Sequence, residues 1–189
     1  MYITLVQPVP EVLHQIKVDL AAAHTFILSC FDYAQIVKGE NGRYQYHVGD
    51  SAVLIRSLEA PLPERMETRR DVLQWKTKQE EIPQKKFFTF KVRINAVKQN
   101  EYKKVICISI SESQKFVRDT MTRFGVNVLE MEANDEGSKG GQHRDGLLTI
   151  RTVMFSGKIE VNDRSSFDSL LSRGLGRGKA WGCGMVLLK

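Results

Sequence analysis

Four histidines in this 189-residue sequence, the side-chain type suited to passing a proton to or from a substrate near neutrality, are candidates for chemistry: His14, His24, His47 and His143. A second stretch with chemical potential is Gly174-Leu175-Gly176-Arg177-Gly178-Lys179-Ala180-Trp181-Gly182-Cys183-Gly184, five glycines in eleven residues. Glycine lets backbone approach a partner closely, and its N–H groups could cradle a phosphate whose charge Arg177 and Lys179 would neutralise. The same glycines could instead serve tight packing alone, and both readings stand. A phosphate-binding loop of the nucleotide-hydrolysing type needs Gly-Lys-Ser/Thr between a strand and a helix. Here Lys179 precedes Ala180, and the expected order is helix, loop, strand. Cys30, Cys107 and Cys183 are too few and too scattered for a disulfide framework or a zinc site. No carboxylate–histidine cluster has metal-ligand spacing, so neither metal nor cofactor is expected.

Chemistry of this kind needs a framework, and the composition provides for one. Hydrophobic residues make up 42% and charged residues 26%, which suits one ordinary domain or two small ones and excludes disordered or low-complexity classes. No apolar run approaches the ~18 residues of a membrane span. Met1-Tyr2-Ile3-Thr4-Leu5-Val6 lacks a basic region and reads as a strand rather than a signal peptide. A cytoplasmic globular protein with no membrane partner is the expectation. The net charge of +6 modestly favours a polyanion. It is concentrated locally: no acidic residue follows Asp168, whereas Arg173, Arg177, Lys179 and Lys189 do, and Arg65, Arg69, Arg70, Lys76 and Lys78 form a second cluster. A basic but inert surface would look the same.

Periodicity supplies the elements. A strand over about 2–6 leads through Pro8 and Pro10 into a helix over about 10–31, carried by Leu13, Ile16, Leu20, Ile27, Leu28 and Phe31. Asn41-Gly42 signals a turn before strands at 44–48 and 52–58. Residues 61–80 read as a polar loop with one helical piece. Phe88, Phe90, Val92, Ile94 and Ala96 alternate onto one face of a strand that closes the first half. A hinge at 99–103 precedes a second round: a strand at 105–110, a helix from Ser111 to Phe124 ended by Gly125, and a strand at 126–131. A glycine-rich basic loop at 137–146 and a long strand at 147–161 follow, with Gly157 marking a bulge or bend. A helix capped by Asn162 or Asp163 and a last strand at 183–188 complete it. The expected fold is α+β: two tandem ferredoxin-like (RRM-like) βαββαβ domains, residues 1–99 and 100–189. Such sheets often bind RNA through stacking aromatics, but no RNP1-like motif is present, and the fold alone assigns no function.

The glycine-rich terminus, with Phe155-Ser156-Gly157-Lys158-Ile159-Glu160-Val161-Asn162-Asp163 ahead of it, resembles the C-terminus of the CasE family, the CRISPR repeat-RNA endoribonucleases of the type I-E Cascade complex. Met1-Tyr2, the strand pair 44–58, Thr77-Lys78-Gln79 and Phe90-Lys91-Val92-Arg93-Ile94-Asn95-Ala96 agree with it. The resemblance covers essentially the whole chain and is strongest over 147–188. It implies a metal-independent ribonuclease that cuts precursor RNA at the base of each repeat hairpin and keeps the product bound. The implied partners are CRISPR repeat RNA, as a stem-loop, and the other Cascade subunits. The RNA brings its own nucleophile, the 2′-hydroxyl. The protein must align it with the departing 5′-oxygen, manage protons and stabilise charge. Products would be a 2′,3′-cyclic phosphate and a 5′-hydroxyl.

Members of that family carry their catalytic histidine on the first helix in the pattern Tyr-x-x-His-x-x-Leu-Trp-x-x-Phe. Ala21-x-x-His24-x-x-Ile27-Leu28-x-x-Phe31 fits this spacing except at the tyrosine and tryptophan, so His24 is selected over His14. His24 also lies near the centre of an apolar helical stripe, where a hydrogen-bonded core histidine is the bland alternative. Ala21 stands where that pattern has tyrosine, and Tyr33, Lys17 or Lys179 are the candidate substitutes for it in a His/Tyr mechanism. Candidate RNA-binding residues are Lys139, His143 and Arg144 on the second-half hairpin, Arg173, Arg177 and Lys179 near the terminus, and Arg65, Arg69 and Arg70. Gly174, Gly176, Gly178, Gly182 and Gly184 support RNA or domain packing. Trp75 stacks on a base or, more simply, packs in the core. A silent RNA-binding subunit and a scaffold for acidic proteins are the rival functions.

Overall fold

Pro8 and Pro10 bracket the first change of direction, and the chain obeys them. A computed structural model describes residues 1–31, 44–102, 105–143 and 146–189, with the backbone alone for Gln142 and His143. In it, β1 (Tyr2–Pro8) runs into α1 (Pro10–Val18), which starts on a proline whose missing N–H is no loss in a first turn. The single helix expected over 10–31 is two. Asp19 is extended (φ −114°, ψ 113°), ends α1 and caps α2 (Leu20–Leu28), its Oδ1 accepting from the N–H of Ala21 at 2.8 Å and of Ala22 at 3.3 Å. A short acceptor side chain competes with the helical backbone and so favours a cap over continuation, which apolar spacing cannot reveal.

The first unit continues through β2 (Tyr44–Val48), β3 (Val53–Ser57), α3 (Pro63–Glu67) and β4 (Val72–Gln79). Its antiparallel sheet has the order β2-β3-β1-β4. That is the βαββαβ arrangement expected, but β4 replaces part of the loop expected at 61–80. The strand was hidden because it is an edge strand bonded to β1 alone and studded with exposed Gln74, Lys76 and Lys78. Trp75 on its other face is half-buried and packs against the core of Val6, Ile16, Phe26, Ile27, Tyr46, Val53 and Ile55.

β5 (Phe87–Asn95), expected to close the first half, opens the second. It pairs antiparallel with β9 (Gly146–Val161) and β10 (Val186–Leu188), and the second sheet has the order β10-β5-β9-β8, where β8 is Val126–His143. The clean alternation of Phe88, Phe90, Val92 and Ile94 is that of an interior strand with one face on a core. The strand expected at 105–110 is shorter: β7 (Val105–Cys107) pairs only with β6 (Val97–Gln99), a small hairpin inserted after β5. Next comes α4 (Ile110–Arg123). Its capping box is Ser109 with Glu112, and Gly125 follows its end at φ 67°. The basic loop expected at 137–146 is largely hairpin, formed by the extended arms of β8 and β9. The last helix, α5 (Arg164–Arg173), is capped by Asp163. Gly157 makes no bulge, since the β5–β9 register runs unbroken from Phe87 opposite Glu160 to Asn95 opposite Thr152. A Cβ there would lie 1.9 Å from the Glu130 carbonyl oxygen, so close approach is what requires glycine.

Both units are therefore ferredoxin-like. The first comprises Met1–Ile82 with Gly140–Leu148 and Lys179–Gly182; the second comprises Pro83–Lys139, Thr149–Gly178 and Cys183–Lys189.

Candidate active site

α2 buries Leu20, Ala23, Phe26 and Ile27 and leaves His24 half-buried at the margin of that stripe. Among the described residues of its own unit, Tyr44 and Trp181 are aromatic neighbours of the imidazole. Tyr44, first residue of β2, places its hydroxyl 3.3 Å from His24 Nδ1. Trp181, in a 3₁₀ turn at Lys179–Trp181, sets its ring 4.9 Å from the imidazole centroid with the planes at 51°. Burial pushes the Tyr44 phenol up to about 12, so it stays a neutral hydroxyl throughout the range in which a histidine works.

Two more features hold this constellation. The extended backbone of Asp19 forms a bridge with Gly140, and a Cβ on Gly141 would lie 2.8 Å from both Ala21 N and Asp19 Oδ1. Gly141, near the end of β8, thus lies against the first turn of α2, where a side chain would collide with the cap. Tyr46 donates its hydroxyl to the Ala180 carbonyl at 3.1 Å, and Gly182 rests on the Tyr46 ring, its would-be Cβ 3.0 Å from Cε2. β2 therefore fixes both Tyr44 and the turn that carries Trp181.

The other end of α2 is held by Arg69. Its guanidinium pairs with Asp71 (2.5 and 2.9 Å), donates to the Phe26 carbonyl at 3.3 Å and to Ser29 Oγ, and lies 4.4 Å over the Phe26 ring. Arg69 is thus occupied by the protein itself. Arg65 and Arg70 are exposed near it in sequence. Lys17, one of the substitutes for the missing tyrosine, donates to the Asp50 carbonyl at 2.7 Å, and Lys179 lies in the 3₁₀ turn with Trp181. His14 is exposed on α1, and His47 is half-buried on β2. Tyr33, Asn41-Gly42, Arg144 and the His143 side chain lie outside the described residues.

In the second unit, Lys139 is half-buried on β8. Desolvation and the Arg93 charge hold its ammonium pKa down, while Glu136 opposes them. Glu136 itself pairs with Arg93 at 2.5 and 2.8 Å. Arg173 is exposed in the last turn of α5, and Arg177 donates to Gln99 at 3.1 Å. The five glycines of the terminal stretch all have positive φ. At Gly184 the close-packing reading prevails: a Cβ would sit 2.5 Å from the Leu175 carbonyl oxygen, and its own N–H donates to Arg93 O at 2.6 Å.

The family model described as CRISPR associated protein matches residues 1–189, the whole chain. The chain belongs to that family. Solved structures share its fold. A CRISPR endoribonuclease Cse3 bound to a 19-nucleotide RNA superposes with a TM-score of 0.83 at 20% identity, all of both chains being covered. Cse3 from Thermus thermophilus, bound to an RNA representing a pre-cleavage complex, gives 0.78 at 21% identity, covering 100% of this chain and 98% of that one. Cas6e from Escherichia coli K-12 gives 0.74 at 20%, with the same coverage. No curated protein sequence matches. The fold of this CRISPR-associated protein is thus the one the CasE resemblance implied.

Sequence reasoning missed Tyr44, Trp181, Asp19 and Gly141. A signal existed for the first: Tyr44 and Tyr46 are two apart on a strand and so share the face that meets α2. Nothing in the spacing connects residue 181 or 141 to residue 24.

Proposed function

We propose that this protein is an endoribonuclease of CRISPR RNA processing, cutting precursor RNA at the base of the repeat hairpin without a metal ion and remaining bound to the stem-loop among the other Cascade subunits. The observation that carries the proposal is His24, placed on a capped helix between a neutral tyrosine hydroxyl and an indole, in a chain of the CRISPR associated protein family. An imidazole so held suits proton transfer to or from an RNA whose own 2′-hydroxyl attacks the adjacent phosphorus. The products are a 2′,3′-cyclic phosphate and a 5′-hydroxyl.

Lys139, His143, Arg144, Arg173, Arg177, Lys179, Arg65 and Arg70 are the proposed phosphate contacts. Arg69 contributes by holding the C-terminal end of α2. The cytoplasm is the proposed location, and no helix among the described residues is long and apolar enough to cross a membrane.

The test is a labelled repeat hairpin incubated with native protein and with His24→Ala in excess EDTA, beside a copy 2′-deoxy at the cut site. Native protein cuts once, and the substitution and the deoxy copy each abolish cutting while binding persists. Cleavage surviving in His24→Ala would move the site to another histidine, His14 first. Tight binding with no cleavage by native protein would establish the rival reading that Ala21 favours, a silent hairpin-binding subunit.

A further inference from the structure

The sequence lacks a tyrosine one turn before His24, where Ala21 stands, yet the structure supplies one from a strand. We infer that Tyr44 is a positioning residue for His24: its hydroxyl engages Nδ1 and directs proton exchange with RNA through Nε2. The inference rests on the function proposed above and deepens it at the same site.

A histidine on a helix turns about two side-chain bonds, and in proton transfer its two nitrogens are not equivalent. The Tyr44 hydroxyl lies 3.3 Å from Nδ1, within reach of a hydrogen bond that tightens when a charge develops. The phenol is a neutral dipole with pKa about 12, so it cannot act as a base near neutrality. It can, however, accept from Nδ1–H when the imidazole is charged and donate to Nδ1 when it is neutral. Trp181, 4.9 Å away and tilted by 51°, limits rotation of the ring. The Tyr46–Ala180 hydrogen bond ties the strand that presents Tyr44 to the turn that presents Trp181, so both neighbours keep register with one another.

With Nδ1 committed, the reaction balances as follows. The 2′-oxygen bonds to phosphorus and its proton passes to solvent water. The P–O5′ bond breaks with its electron pair on O5′, which takes the proton from Nε2. Tyr44 exchanges no proton with RNA. Its role is carried entirely by His24, and that distinguishes it from a second catalytic residue.

The experiment is single-turnover cleavage of a labelled repeat hairpin by the full chain as native, Tyr44→Phe and His24→Ala, with hairpin affinity measured in parallel. Tyr44→Phe slows cleavage roughly 10- to 100-fold, as loss of a hydrogen bond to a group that becomes charged would. Hairpin affinity is unchanged, so the loss falls on the chemical step. An unchanged rate in Tyr44→Phe, or a loss of affinity that accounts for its slower cutting, overturns the inference while leaving His24 in place. Native-like cutting by His24→Ala, or no cutting by native protein, overturns the proposed site and this inference with it. A second readout does not depend on activity. In protein with ¹⁵N-labelled imidazoles, Tyr44→Phe moves the His24 Nδ1 resonance, assigned by its disappearance in His24→Ala. An unmoved resonance overturns the hydrogen bond itself.

Discussion

The first helical connection in each βαββαβ unit joins equivalent strands but is built differently. In the second unit α4 runs fourteen residues without interruption from its Ser109–Glu112 capping box, burying Ser113, Val117, Thr120 and Met121 and showing a charged face to solvent. In the first unit the connection breaks after nine residues at Asp19 and restarts. The break places a helix N-terminus beneath Gly140 and Gly141 and leaves a histidine between Tyr44 and Trp181. An unbroken amphipathic helix serves a core. A broken one presents a side chain at a defined place, because the cap sets where the second segment begins.

Substitutions at close-packed glycines carry the largest expected effects in both units. Gly157→Ala in the second unit forces a Cβ to 1.9 Å from the Glu130 carbonyl oxygen, so this sheet must deform. A loss of ~3 kcal/mol or more is expected in denaturant unfolding, among the largest for one substitution. In the first unit the matching experiment concerns activity. Gly141→Ala drives a Cβ against Ala21 N and Asp19 Oδ1, whereas at Gly140 the nearest atom, Leu148 O, is 3.5 Å away. Gly141→Ala slows hairpin cleavage about 10-fold by displacing the α2 cap, and Gly140→Ala does not. Equal rates for the two would separate this stretch of β8 from the site.

The caps sharpen the same contrast. Asp19→Ala and Ser109→Ala each remove a capping acceptor and cost ~1 kcal/mol in thermal or denaturant unfolding. Only Asp19→Ala lowers the cleavage rate, since only α2 carries His24. The smallest effect is electrostatic. Glu112 has its pKa lowered from 4.5 to about 2, first by the Lys98 hydrogen bond and then by the Ser109 N–H and hydroxyl. A carboxylate with a depressed folded-state pKa stabilises the fold above its unfolded value, and that contribution fades as pH falls from about 4.5 to about 2. The Tm difference between native protein and Glu112→Gln is therefore present at pH 7 and absent below pH ~2. No comparable carboxylate stands at the third position of α2, which is Ala22.

Fold class was legible in the sequence, as was the helical setting of the candidate histidine, though not the break at Asp19 that divides that helix in two. Interior alternation such as Phe88-Phe90-Val92-Ile94 and caps such as Asp163 are local signals, set within a few residues. The terminal Gly–Arg–Gly–Lys stretch resembled the CasE family strongly enough to single out His24. Local signals failed where a strand was polar, as with β4 and its exposed lysines. They also failed where a helix was broken by a side chain rather than by glycine or proline, as at Asp19, and they put β5 in the wrong unit. The pairing of Tyr44 with His24, the indole of Trp181 beside them and the docking of Gly141 on the α2 cap join residues 20 to 157 positions apart. No periodicity spans such separations. Strand register, chain crossing and close backbone approach decided them, because a site of this kind is made by surfaces that come together only when the sheet and helices pack.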